Sequence, residues 1–127
     1  MLTLPDEPLS EIRERLLDGM VSYMTQDGED NPSPEWDCGY TMRDVDRCAA
    51  IVDEYLRDVH AGAALDQTEI TKAVKRVVIA LNELNSDCDG ALIETDQRED
   101  LCHLILMAAK SGGLLLTEDI TYQWREW

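Results

Sequence analysis

Residues 66–85 read DQTEITKAVKRVVIALNELN, and their apolar side chains recur every three or four positions. This spacing is typical of an amphipathic α-helix, which buries one stripe and exposes the rest. Asp66 followed by Glu69 has the form of an acidic capping box, so we expect the helix to begin there. Its outer face carries the basic residues Lys72, Lys75 and Arg76, and its buried stripe is predicted to be Ile70, Val74, Val77, Val78, Leu81 and Leu84.

The same period recurs in other parts of the chain. The predicted helices are residues 8–26, 41–61, 95–110 and 117–127. Thr41 and Thr95 are expected to cap the second and fourth helices, and the last helix is expected to dock Trp124 and Trp127 onto the others. The buried stripe of the second helix is predicted to be Met42, Val45, Cys48, Ala49, Val52, Tyr55, Leu56 and Val59. We therefore predict an all-α fold, a single-domain bundle of about five helices over residues 1–127.

The connection NSDCDGALIETD, residues 85–96, resembles an EF-hand calcium loop in its acids and its glycine. It departs from that template at Asn85 in position 1, at Ile93 in position 9 and at the short Asp96 in position 12, where glutamate normally closes the site. A plain turn accounts for the same residues, because Leu92 and Ile93 then pack inward ahead of the next helix. We predict a turn, and no metal site.

The cysteines and the first residues of the chain bear on where the protein works. No apolar run approaches the roughly 20 residues of a membrane span, and the acidic N-terminus lacks the regions of a signal peptide. We therefore expect a cytoplasmic protein with reduced cysteines. Cys48 and Cys102 fall on apolar helical faces and are predicted to be buried. The spacing of the four cysteines does not suit zinc, and we expect no cofactor.

Catalysis finds little support in the sequence. Nucleophilic chemistry needs a base near a serine or cysteine, and the two histidines are His60 and His103. Cys102 and His103 are neighbours on a predicted helix, where successive side chains diverge by about 100°. We therefore expect no catalytic residues and no enzymatic activity.

Charge is the most informative property of the composition. The chain has 27 acidic and 11 basic residues, a net charge of −16. This excludes binding to nucleic acid through its phosphates and favours a basic protein partner. The acids are concentrated between Gln26 and Asp46, where Trp36 offers an aromatic anchor. The predicted partner-binding residues are Asp27, Glu29, Asp30, Glu35, Trp36, Asp37, Asp44 and Asp46.

Two segments near the C-terminus also carry a resemblance. LNSDCDGALIETDQREDLC, residues 84–102, and DITYQWREW, residues 119–127, resemble segments of small bacterial cytosolic proteins. Some proteins of that kind serve as immunity partners of secreted toxins. The resemblance implies a bacterial, cytoplasmic protein, and it implies no catalytic motif.

These observations leave several functional hypotheses. The first is a protein-binding inhibitor, an immunity protein that neutralises a cationic toxin such as a nuclease. A nuclease needs a positive cleft to attract phosphates, so a compact acidic protein would associate with it rapidly. The alternatives are a nucleic-acid mimic that blocks a DNA-binding protein, and an acidic regulatory module whose charge serves solubility. Arg43, Arg47 and Arg57 interrupt the acidic face that a mimic would need.

Overall fold

The computed structural model describes residues 4–25, 38–60 and 66–127. In these ranges the fold is all-helical, with α1 at Leu9–Thr25, α2 at Met42–His60, α3 at Gln67–Asp87 and α4 at Thr95–Ser111. A four-residue 3₁₀ turn follows at Ile120–Gln123. The described chain thus has four α-helices, and the prediction of about five is wrong at its C-terminal end.

Ion pairs at both ends of α2 and α3 fix their relative direction. The guanidinium of Arg47, near the start of α2, lies 3.1 Å from a carboxylate oxygen of Asp87, the last residue of α3. Asp58, near the end of α2, lies 3.6 Å from Arg76 in the first half of α3. The two helices therefore run antiparallel.

The helices α1 and α4 are also antiparallel to each other. Arg15 on α1 donates a hydrogen bond of 2.9 Å to Asp100 on α4, and Pro5 ahead of α1 meets His103, further along α4, at 2.7 Å. Arg13 pairs with Asp53 across α1 and α2 at 2.7 Å. Because each helix also packs on its neighbour in sequence, the four helices form an up–down–up–down bundle.

The apolar stripes of the four helices meet along the bundle axis. The fully buried members of this core include Ile12, Leu16, Met20, Val52, Ile70, Leu81, Leu101, Leu104 and Ile105. Two buried tyrosines satisfy their hydroxyls inside the core, Tyr40 by donating to the carbonyl of Met20 and Tyr55 by donating to that of Ile105, each at 2.6 Å. Met42 departs from the predicted stripe of α2, since it lies in the first turn and is 47% exposed.

The helix starts test the predicted caps. The carboxylate of Asp66 accepts a 2.8 Å hydrogen bond from the backbone N–H of Glu69, as predicted. Thr41 precedes α2, and its N–H donates to the Asp44 carboxylate at 3.0 Å, which confirms that boundary. The cap predicted at Thr95 is wrong, because Glu94 holds the capping position of α4 and makes no side-chain cap bond.

The C-terminal segment is docked but forms no fifth α-helix. Its backbone bonds to a side-chain amide of α3, since Asn82 donates to the carbonyl of Trp124 at 2.8 Å and accepts from the N–H of Glu126 at 3.0 Å. These bonds hold the chain in a non-helical path after the 3₁₀ turn. Trp124 and Trp127 nevertheless pack against the core, so the predicted docking is confirmed.

Replacing Trp124 tests the contribution of this segment to stability. Trp124 is half-buried against the core, so we expect Trp124→Ala to cost about 2 kcal/mol, below the full cost of a core tryptophan. For a domain of this size the melting temperature should fall by about 5–10 °C. The control is Tyr122→Ala, because Tyr122 is 76% exposed in the same segment. Equal shifts for the two variants in thermal denaturation would contradict the docking account.

Candidate partner-binding surface

The alternating directions of the helices bring four helix ends together. The C-terminal ends of α1 and α3 lie beside the N-terminal ends of α2 and α4. The carboxylates here, which we call the acidic end, are Asp44, Asp46, Asp87, Asp89, Glu94 and Asp96. Three arginines lie at this end as well: Arg43, Arg47 and Arg98. The opposite end carries Arg57, Lys72 and Lys110 beside acids such as Glu11 and Asp66. Both ends of the bundle therefore carry acidic and basic side chains.

Few of the carboxylates at the acidic end are neutralised. Arg47 bridges two of them, at 3.6 Å from Asp44 and 3.1 Å from Asp87. Over residues 4–25, 38–60 and 66–127, the other four have no ion-pair partner. Those four are exposed: Asp46, Asp89, Glu94 and Asp96. Exposed, unpaired carboxylates are free to interact with a cation from outside the chain.

The structure locates two of the eight predicted partner-binding residues. Asp46 is exposed, whereas Asp44 is half-buried and committed to Thr41 and Arg47. The remaining six lie outside the described residues: Asp27, Glu29, Asp30, Glu35, Trp36 and Asp37. The predicted surface therefore remains a prediction over residues 26–37, and of its described part Asp46 is the residue available to a partner.

Sequence reasoning missed the contribution of the α3–α4 turn to this surface. The segment that precedes α2 packs directly on that turn, where a side chain at Gly39 would meet the Cβ of Ala91 at 2.6 Å. Asp87 and Asp89 therefore lie close to the start of α2, although they are more than 40 residues away in sequence. If successive predicted helices had been assumed to run antiparallel, Asp87 and Asp89 would have been expected at the same end of the bundle as Asp46.

Asn85 determines the shape of the turn. Its side-chain oxygen accepts a 2.9 Å hydrogen bond from the N–H of Ile93, and its carbonyl accepts one of 2.8 Å from the N–H of Gly90. Asp89 and Gly90 adopt positive φ angles of 54° and 78°, and aspartate and glycine tolerate this conformation better than most residues. Leu92 and Ile93 are buried as predicted. The oxygen that would occupy position 1 of a calcium loop is thus used within the turn.

An acidic cleft of about 840 Å³ lies beside the turn, between α3 and the C-terminal segment. Its charged lining consists of Glu83, Asp87, Asp89 and Glu126, and no lysine or arginine of the described chain lines it. Trp124 also lines the cleft. A concave site with four carboxylates and no lysine or arginine in its lining is suited to a lysine or arginine side chain of another protein, since opposite charges attract.

The two adjacent residues Cys102 and His103 contact different parts of the chain. The Cys102 thiol lies 3.7 Å from the hydroxyl of Thr121 and accepts a hydrogen bond from Arg125 at 3.0 Å, while burial raises its pKa. His103 faces Pro5 instead. The predicted divergence of the two side chains is confirmed. Burial of Cys48 is confirmed too and raises the pKa of its thiol to about 12, whereas Cys102 is only half-buried.

Three further findings concern the chain as a whole. Among the described residues, no cluster of three or more histidine, cysteine, aspartate or glutamate side chains could hold a metal ion. In the same residues, no helix has the length and apolarity needed to cross a bilayer. No protein-family model, curated protein or solved structure matches the chain.

Asn85→Ala tests the role assigned to the turn. The substitution leaves the buried N–H of Ile93 without its acceptor, so we expect it to lower the free energy of unfolding by about 1–3 kcal/mol. Ser86→Ala is the matched control, because Ser86 is exposed. Urea denaturation of both variants measures the difference. An Asn85→Ala variant as stable as the control would show that the bond to Ile93 is unimportant.

Calcium titration tests the alternative that residues 85–96 form a calcium-binding loop. Because the Asn85 oxygen is engaged by the backbone, we expect calorimetry to detect no calcium site with a dissociation constant below about 10⁻⁴ M. A tighter site, abolished by Asp87→Asn and Asp89→Asn together, would contradict the assignment of residues 85–96 as a structural turn.

Proposed function

We propose that this protein is an inhibitor that binds a cationic protein, and that it acts as an immunity protein against a toxin such as a nuclease. The observation that carries the proposal is the collection of exposed, unpaired carboxylates at one end of the bundle. α1 ends and α2 begins at this same end. The acidic residues predicted between them in sequence, residues 26–37, lie outside the described part of the chain.

Inhibition would follow from occlusion of a positive active-site cleft. A nuclease binds phosphates through lysine and arginine, and a surface of carboxylates competes for the same cations. The field of a protein of net charge −16 steers the encounter, which raises the association rate by about 10–10³ at low salt. Close contacts then slow dissociation, and the cleft beside Trp124 could receive one cationic side chain.

Different observations support the kind of partner and the choice of an immunity protein over a nucleic-acid mimic. Charge and geometry support a cationic protein as the partner, and the choice of a toxin draws on the resemblance of residues 84–102 and 119–127 to toxin-immunity proteins. A nucleic-acid mimic is less well supported. Arg47 lies between Asp44 and Asp87 and neutralises them at the centre of the acidic end, whereas a mimic needs an uninterrupted row of negative charge.

Charge neutralisation at the acidic end tests the proposal. The variant Asp46→Asn, Asp89→Asn, Asp96→Asn removes three exposed carboxylates and should slow association with the cationic nuclease domain that the protein binds. The matched control is Asp6→Asn, Glu11→Gln, Glu14→Gln, which makes the same change in net charge toward the opposite end. Exposed charges contribute little to stability, so both variants should fold.

Surface plasmon resonance at two salt concentrations measures the difference. Between about 50 and about 500 mM salt the Debye length falls to a few ångströms, so wild-type association should slow steeply while dissociation changes less. The acidic-end variant should associate several-fold more slowly than the control at low salt. Equal rates for the two variants, or association independent of salt, would contradict the proposal.

A further inference from the structure

The exposed face of α3 has an apolar centre between charges of opposite sign. Ile79 is 38% exposed at the middle of the helix. Lys75 lies one turn before it and Glu83 one turn after it, and the positions i, i+4 and i+8 share one helix face. Both charged side chains are exposed. The face therefore changes from basic through apolar to acidic along α3.

Neither charge beside Ile79 is matched within the described chain. The other cations of the basic patch have local partners, since Arg76 lies 3.6 Å from Asp58 and Lys72 lies 3.5 Å from Glu69. Lys75 and Glu83 have no ion-pair partner among residues 4–25, 38–60 and 66–127. Two opposite charges are thus available to an external surface on either side of an exposed isoleucine.

A groove of about 410 Å³ runs beside this face, between α2 and α3. Ala73, Val77 and Ala80 give its α3 wall an apolar part, and Ile51 and Tyr55 do the same on α2. Charged side chains line it as well: Glu54, Asp58, Lys75, Arg76 and Glu83. Ile79 borders both this groove and the acidic cleft on the other side of α3. A ridge on one helix that fits a groove beside another is the geometry of helix packing.

The order of charges along α3 makes this face complementary to a copy of itself. When two identical helices pack antiparallel with Ile79 at their centre, the residue four positions before the centre faces the residue four positions after it. Lys75 of each chain then faces Glu83 of the other, and the pairing occurs twice because the contact is isologous. A parallel arrangement would place like charges together instead.

We propose that α3 forms a two-fold symmetric homodimer interface, in which Ile79 of each chain enters the α2–α3 groove of the other. The occupant of the groove is a second copy of this protein, selected by the reciprocal Lys75–Glu83 pairs. Asp46, Asp89, Glu94 and Asp96 lie outside the interface, so the dimer does not depend on the proposed inhibitory function. Glu83 also borders the acidic cleft, so a partner that fills the cleft competes with dimerisation.

The size of the face indicates a weak dimer. The stripe from Lys72 to Asp87 spans 16 residues, about 24 Å at about 1.5 Å per residue. With a helix about 10 Å across, the stripe itself covers a few hundred Å², less than the roughly 800 Å² per partner of a standard interface. Dimerisation should therefore appear at micromolar or higher protein concentration.

Charge reversal tests the interface by sedimentation velocity at about 150 mM ionic strength, where the Debye length is about 8 Å. Lys75→Glu and Glu83→Lys should each raise the dimer dissociation constant about tenfold or more, because each turns two attractive pairs into repulsive ones. An equimolar mixture of the two variants should associate again, since each then supplies the charge that the other lacks. The double variant K75E/E83K should likewise recover the wild-type constant.

Matched controls separate this specific effect from a change in net charge. Lys110→Glu and Glu11→Lys alter the net charge identically on exposed positions of other helices, and they should leave the dimer constant within a factor of two or three. Far-UV circular dichroism checks that every variant is folded. A wild-type chain that stays monomeric up to millimolar concentration overturns the proposal. Dimers that tolerate both single reversals, or a mixture that sediments as its components do, overturn it as well.

Discussion

The surface described above depends on a hydrogen bond from the backbone of Ile93 to the buried side chain of Asn85. This bond fixes the turn that reverses the chain between α3 and α4, and the reversal completes the up–down–up–down bundle. It also keeps Asp87 and Asp89 exposed beside the start of α2. The same asparagine therefore links the local conformation of one turn to the distribution of charge over one end of the molecule.

Three side-chain amides of α3 bind backbone groups of segments outside the helix: Gln67, Asn82 and Asn85. Asn82 holds the last residues of the chain through two backbone hydrogen bonds. Gln67 donates to the carbonyl of Gly113 at 2.7 Å and accepts from the N–H of Leu115 at 2.9 Å. An amide is suited to this role because it offers a donor and an acceptor at once. The C-terminal segment is thereby attached to both ends of α3, and its helical structure is limited to the 3₁₀ turn at Ile120–Gln123.

The four α-helices could be predicted from the sequence because the patterns that indicate them lie within each helix. Apolar periodicity, the cap at Asp66 and the hydrogen bond between Thr41 and Asp44 lie within a few residues of the helix starts that they determine. The conformation of the C-terminal segment could not be obtained in this way, since Asn82 and Trp124 are 42 residues apart. The pairing of Arg47 with Asp87, 40 residues apart, is likewise visible only in the folded chain. Long-range polar contacts therefore account for most of what the sequence left open.

Four exposed carboxylates without ion-pair partners lie at the acidic end of the described bundle, and we propose that a cationic protein binds there. Chemical-shift mapping by NMR with an unlabelled cationic nuclease domain tests this claim directly, because it reports the contacted residues without substitutions. The account predicts shifts concentrated in residues 42–47 and 87–98, with little change in residues 66–76. Shifts centred on residues 66–76, or none at all at saturating partner, would contradict it.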